Sequence, residues 1–335
     1  MHLMKKILTV FTWGIFVTSA ALAAEANNKR QIMAWVPPYG IEASTDALDS
    51  NLTVGKSLTL LGLQFWNPAA DGRSIVLAPV DKTGKQVDPR IIIKFRNWAK
   101  SHHIRVLLTV YNNSQVMGKW DWPLAQRTFK DNRTDFIKAL IAEMDKYKLD
   151  GIDLDLEGQG YYDDDRLSYA VFIKELSGIV HGKGKILTID SFHSPCKNAP
   201  NMSWWADWKG RIDAIHSMGY NDLYEASTDT FTPEGKPICE DGAYIFKYSW
   251  QLQYGLKAGF RVDQILMGLP TWMDKWGKKD EETDAVTHIG EVQALGAGLA
   301  LWDMQLSGPA WKADATWDAI LSARNKPGNG WEKLK

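Results

Sequence analysis

Four acids fall within a single short stretch, 149–158, which reads L-D-G-I-D-L-D-L-E-G. They are Asp150, Asp153, Asp155 and Glu157, and the last three alternate with Ile152, Leu154 and Leu156. A strand has a side-chain period of two, so Asp153, Asp155 and Glu157 share one face and the apolar residues share the other. Carboxyl groups crowded together raise one another's pKa, which is how one acid can keep a proton near neutral pH. The chemistry such a row can do is proton donation from one carboxyl beside others that stay anionic. Two plainer readings compete with it. A solvated strand face would show the same alternation. A calcium loop would need Asp-x-Asp-x-Asp-Gly and a distal Glu, which this stretch lacks. Asp150 has the opposite parity and is expected to brace the turn before the strand.

The elements that must position these acids follow a strand–helix rhythm. Strands are expected at 31–36, 57–66, 106–111, 149–158, 185–192, 214–220, 264–269 and 298–303. Helices are expected at 89–102, 134–147, 166–180, 244–258, 289–295 and 317–324, where apolar residues recur at helical spacing. Eight strands alternating with helices predict an α/β fold, a single (β/α)8 TIM barrel. An open doubly wound sheet is the runner-up. It calls for a Gly-rich nucleotide turn after the first strand, and none is present. In a barrel the reactive groups sit at the C-terminal strand ends. Glu157, Asp155, Asp190, Met218, Tyr220, Asn221, Trp302 and Asp303 all fall there.

Residues 1–24 read as a secretory signal peptide, with Lys5 and Lys6, an apolar run to Ala23, and an A-x-A pattern at Ala21-Leu22-Ala23. The alternative is a membrane anchor, for which the run is slightly short. The expectation is cleavage after Ala23 or Ala24, with residues 25–335 forming one catalytic domain that is secreted or periplasmic and a monomer. The formal net charge of −1 leaves no basic footprint for nucleic acid, and no later stretch predicts a membrane span. Cys196 and Cys239 could pair in an oxidising compartment or remain two buried thiols. The chain carries 16 Trp. Trp35 and Trp66 fit a core or a sugar platform equally, whereas Trp120, Trp122, Trp272 and Trp276 lie in expected loops and are groove candidates. Asn67 and Asn112 follow strands and are candidate contacts to substrate hydroxyls. His193 reads as a solvated loop histidine with a smaller claim on substrate, and Asp163-Asp164-Asp165 as a solvated helix start.

The segment D-G-I-D-L-D-L-E resembles the D-x-x-D-x-D-x-E signature of glycoside hydrolase family 18, the chitinase-like family, at all four acidic positions. Met218-Gly219-Tyr220-Asn221 is similar to the family's sixth-strand M-x-Y-[DN] pattern. Gly268-Leu269-Pro270 resembles the segment after its seventh strand, and Trp302 matches the eighth-strand Trp that floors the sugar pocket. The resemblance implies a retaining glycosidase that acts on β-1,4-linked N-acetylglucosamine and needs neither cofactor nor metal. It makes Glu157 the general acid, Asp155 the partner of the substrate acetamide N–H, Asp153 the support of Asp155, and Tyr220 a donor to the acetamide oxygen. Trp302, Met218, Asn221, Trp35, Asn112 and Asp190 are the expected substrate-binding residues. Two departures limit it. The third strand ends Thr109-Val110-Tyr111-Asn112 where many members have S-x-G-G. Only residues 270–297 lie between strands seven and eight, so the large α+β insertion of many chitinases is absent and the groove should be open. Chitin, peptidoglycan and the chitobiose core of N-glycans all remain as substrates. A catalytically inactive sugar-binding protein is the alternative class, and the presence of Glu157 argues against it.

Overall fold

The computed structural model describes residues 30–116, 118–194, 197–220, 248–272, 285–326 and 328–334. Asn221, Cys196, Cys239, Trp276 and the expected leader 1–24 lie outside the described residues.

Eight parallel strands form a closed barrel: β1 Ile32–Val36, β2 Leu60–Pro68, β3 Arg105–Tyr111, β4 Gly151–Asp155, β5 Ile186–Ser191, β6 Ala214–Ser217, β7 Ile265–Pro270 and β8 Gly298–Trp302. The ring closes where β1 pairs with both β2 and β8, with Ile32 in register with Leu299 and Met33 with Leu60. A short antiparallel strand, Ile75–Leu77, adds to the far end of β2. Outside the seam, the Arg30 backbone N–H donates to the Arg324 carbonyl at 3.3 Å, and the Arg30 guanidinium reaches the Gly328 carbonyl at 3.3 Å. These contacts hold the two ends of the described chain together.

Helices Pro89–Ser101, Arg133–Tyr147, Arg166–Gly182, Tyr248–Lys257, Ala285–Leu295 and Asp314–Asn325 pack around the ring. The first begins where Asp88 caps it, its carboxylate accepting from Arg90 N–H at 2.9 Å with Pro89 in the first turn. The second ends on Lys148, whose φ of 54° lies in the left-handed region, and the chain then turns through Asp150 into β4. The Asp150 carboxylate accepts from Val106 N–H at 3.0 Å, which is the bracing role expected of it. Ile152 and Leu154, and Leu156 just beyond the strand, pack in the outer layer between strands and helices. Met33, Trp35, Leu60, Leu107, Ala214, Leu266 and Ala300 fill the inside of the ring as a second cluster. No helix among the described residues is long and apolar enough to cross a membrane.

Several expectations need correction. Trp122 is not in a loop but opens the short helix Trp122–Gln126, buried, with its indole N–H donating to Asp165 at 2.6 Å. Asp165 is therefore not a solvated helix start. It is buried, accepts also from Gln126 at 2.8 Å, and pairs with Lys130. Trp66 is core, with its indole turned outward to Glu143. Helices Ile41–Ser50 and Leu52–Ser57 follow β1 where none was expected.

Candidate functional site

On β4, Asp153 and Asp155 point into the barrel, and Glu157 follows two residues past the end of the strand. Each acid meets a different environment. Asp153 is fully buried and takes hydrogen bonds from three strands: Trp35 Nε1 at 2.8 Å, Thr109 Oγ1 at 2.9 Å and Thr188 Oγ1 at 2.6 Å. Burial alone would raise its pKa, but the hydrogen bond and charge of His216, then the bonds from Thr188 and Trp35, hold it below the usual carboxylate range. Room for this arrangement comes from Gly62 on β2. A Cβ there would lie 2.5 Å from Trp35 Cδ1 and 2.7 Å from Thr109 Oγ1.

One step toward the mouth, the Gln64 amide donates to Asp155 Oδ2 at 2.6 Å, while Oδ1 meets no fixed donor among the described residues. The carboxyl of Glu157 supplies the missing partner when it carries a proton. Burial pushes Asp155 up to about 7, opposed by hydrogen bonds from Glu157 and Gln64 and reinforced by the charge of Asp153. Glu157 is pushed well above its ordinary value by burial, then by the charge and hydrogen bond of Asp155 and the charge of Asp190. The two carboxyls thus share a proton that stays near neutral pH.

The backbone of Glu157 is fixed by Asn112, at the end of β3. Glu157 N–H donates to Asn112 Oδ1 at 2.7 Å, and Asn112 Nδ2 donates to the Glu157 carbonyl at 2.8 Å. The next residue, Gly158, exchanges two backbone bonds of 2.8 Å with Ala199. Glu157 therefore sits on a loop tied to two neighbouring segments.

Over the acids lies an aromatic wall. Trp302 from β8 packs on Trp35 with ring centroids 5.8 Å apart and on Tyr220 at 6.4 Å; Tyr220 meets Trp272 at 6.2 Å. Trp302, Tyr220 and Met218 are half-buried, and Trp272 is exposed. Burial and the charges of Asp190, Asp155, Glu157 and Asp153 hold the Tyr220 hydroxyl in its neutral, donating form. Tyr220 reaches this position past Gly268 of β7, where a Cβ would come within 2.8 Å of its ring and 2.6 Å of the Ser217 carbonyl oxygen. Opposite, Tyr111 and Trp120 meet edge to face at 5.8 Å. Tyr39, after β1, is half exposed, and its hydroxyl is held protonated by burial and by the charges of Asp303, Tyr111 and Asp155, which places it at the mouth.

The structure gathers Glu157, Asp155, Asp153, Tyr220, Trp302 and Met218 at one end of the barrel. Three expected substrate contacts lie beneath that mouth. Trp35 is fully buried and spends its N–H on Asp153. Asn112 is fully buried and spends its amide on the main chain of Glu157 and Asp121. Asp190 is only 3% exposed and turns to His216 at 2.7 Å. Asn67 is likewise buried, its amide bonded to the Tyr111 carbonyl at 2.7 Å. His193 is buried rather than solvated, its Nδ1 3.1 Å from the Met218 carbonyl. Gln64, Thr109, Thr188, His216 and Tyr39 were not anticipated. Thr109, Thr188 and His216 share the inward parity of their strands, a signal present in the sequence. Asp153, Asp190 and His216 bring three metal-ligand types within 4.8 Å of one another. Their donor atoms are bonded to each other, His216 Nδ1 lying 2.7 Å from Asp190 and 3.3 Å from Asp153, so the cluster is a hydrogen-bonded one.

Solved structures share this architecture at low sequence identity. A chitinase from Chromobacterium violaceum superposes with a TM-score of 0.63 at 17% identity, over 88% of this chain and 98% of that one. The spore cortex-lytic enzyme of Bacillus cereus gives 0.62 at 15% identity, over 90% and 76%. A class V chitinase from Nicotiana tobaccum, solved in complex with NAG4, gives 0.60 at 12% identity, over 87% and 99%. A comparison with curated proteins returns no match. The family described as Glycosyl hydrolases family 18 matches residues 57–324, which hold all eight strands except β1, and the chain belongs to that family.

Proposed function

We propose that this glycoside hydrolase cleaves β-1,4-linked N-acetylglucosamine chains with retention of configuration, using the substrate's own acetamide as nucleophile. Glu157 donates its proton to the glycosidic oxygen. The acetamide oxygen attacks the anomeric carbon, the bond to the leaving sugar breaks, and an oxazolinium ion forms. Asp155 accepts from the acetamide N–H and stabilises the positive charge, while Tyr220 donates to the acetamide oxygen. Water, deprotonated by Glu157, then opens the ring of the intermediate and restores the acid. Trp302 forms the floor under the reacting sugar.

One observation carries this reading: Asp155 has a buried oxygen whose natural donor is the protonated Glu157, so this pair stores the proton that the first step consumes. A second carboxylate placed to attack the sugar directly is not needed, because Asp153 and Asp190 are committed to partners below the mouth. The same reading makes 1–24 an export leader and the mature chain a monomer that works outside the cytoplasm. A product screen on chitin oligomers, peptidoglycan and a high-mannose glycopeptide tests the substrate. Cleavage of chitin oligomers to products of retained anomeric form is expected. Cleavage confined to another of the three would move the substrate, and inverted products would overturn the mechanism.

A further inference from the structure

Strand β2 slips by one residue against β3. Leu63 pairs with Leu108 but Trp66 pairs with Val110, so β2 takes three steps where β3 takes two. Such a bulge re-aims side chains and is common beside active sites. Here two successive residues turn outward: Phe65 packs on Phe95 and Trp66 on Tyr147, with ring centroids 6.1 and 5.9 Å apart. Gln64, just before them, faces the barrel interior as Gly62 does, is 2% exposed, and reaches Asp155 Oδ2 at 2.6 Å. β2 and β4 flank β3, so their backbones stand about 10 Å apart. Gln and Asp together span that gap; Asn, one methylene shorter, would fall short.

An aspartate carboxyl turns about a broad, two-fold torsion, so burial alone does not decide which oxygen faces which neighbour. Below Asp155 the oxygens of Asp153 are taken, Oδ2 by Trp35 and Thr109 and Oδ1 by Thr188. Above it, Glu157 gives a hydrogen bond only while it holds a proton. Gln64 is thus the fixed side-chain donor to Asp155 among the described residues.

We infer that Gln64 is a positioning residue for the proposed reaction: its amide N–H holds Asp155 Oδ2 and stops the carboxyl from turning, so that Oδ1 meets first the Glu157 proton and then the acetamide N–H of the substrate. An N–H already aimed at Oδ2 leaves no room there for a second hydrogen, so a proton held by Asp155 rides on Oδ1, where Glu157 can take it. The same bond favours the anionic carboxylate, against the effect of burial. The inference rests on Asp155 serving the substrate acetamide.

Two measurements separate the hold from the reaction. The first needs no substrate. A crystal structure of Gln64→Leu should show the Asp155 carboxyl turned or in two orientations, and a carboxyl unmoved from its wild-type orientation overturns the inference. Gln64→Met, which keeps the unbranched shape, serves where the leucine variant does not fold. The second is kinetic. A hydrogen bond to a charged group is worth about 10- to 100-fold, so kcat should fall by that factor while KM changes little. In an Asp155→Ala background the same replacement should change kcat by less than about twofold, since the group that Gln64 positions is gone. Equal losses in both backgrounds would mark a merely structural role and overturn the inference. If the carboxyl turns in the crystal but kcat is unchanged, the hold stands and the role given to Asp155 in the reaction fails.

Discussion

The side-chain amide of Asn112 bonds both main-chain polar groups of Glu157, accepting from its N–H at 2.7 Å and donating to its carbonyl at 2.8 Å. One residue thereby sets where the acid stands relative to β4, although Glu157 itself lies past the end of that strand. Asn112→Ala leaves these buried groups unpaired, at a cost of about 1–3 kcal/mol. It also lets Glu157 wander. A shift on the order of 1 Å costs about 100-fold in rate, so kcat should fall by that order while KM changes little. Steady-state kinetics with a chito-oligosaccharide, alongside a thermal melt, checks both parts. A rise in KM alone would show that the amide touches substrate after all.

Replacing the acid itself separates binding from chemistry. Glu157→Gln keeps the shape and a hydrogen-bond donor but loses the transferable proton. Hydrolysis should drop by about 100-fold or more, while binding of chito-oligosaccharides, followed by tryptophan fluorescence or calorimetry, persists. Equal turnover by variant and wild type would remove Glu157 from its role.

Anchimeric assistance makes its own demand. A thiazoline analogue of N-acetylglucosamine copies the bicyclic shape of the proposed intermediate and should inhibit competitively. It should bind Asp155→Ala less well, because its ring nitrogen loses the carboxyl partner. No inhibition at concentrations on the order of millimolar would count against the acetamide as nucleophile.

The pH dependence of stability has a definite sign. Asp155 and Glu157 have higher pKa values folded than unfolded, so their contribution is complete in acid and is lost as pH rises. For Asp155 the loss runs from its ordinary value near 3.8 up to about 7. Thermal melts should therefore show stability declining from about pH 4 towards about pH 7, and Asp155→Asn should flatten that decline. A slope unchanged in the variant would show that Asp155 does not carry it.

Space for Tyr220 depends on one glycine. In Gly268→Ala the new Cβ lies 2.6 Å from the Ser217 carbonyl and 2.8 Å from the Tyr220 ring. The ring can yield, but the carbonyl belongs to the barrel ladder, so backbone must shift as well. Activity and thermal stability should both fall, with tryptophan fluorescence changing through Trp272 and Trp302, which pack on that ring. Unchanged kinetics would mean that the hydroxyl of Tyr220 is dispensable.

The ring of strands and the row of acids were legible because both rest on short-range periodicity. Alternation in 149–158 put Asp153 and Asp155 inward and Ile152 and Leu154 outward, as the structure has them. What periodicity does not carry is depth. Trp35, Asn112 and Asp190 were placed in the correct neighbourhood, yet each turns below the mouth, because strand tilt and stagger decide which layer a side chain enters. Long-range pairs were equally hidden. Asp165 reads as one of three solvated acids until the fold brings Trp122, from a distant helix, against it. The helices Ile41–Ser50 and Leu52–Ser57 were missed because their sequences offer few apolar residues at helical spacing. His216 and Thr188 were overlooked although their parity matched that of the acids.

The closure of β1 on β8, with Arg30 tied to Arg324 and Gly328, leaves the molecule without a privileged starting point. A gene rearranged so that a short linker joins those two ends, with new ends cut in the exposed turn around Lys82-Thr83-Gly84, would present the same eight strands in a different order of synthesis. Such a permuted protein should regain the same catalytic mouth, since no contact described there depends on which strand the ribosome makes first.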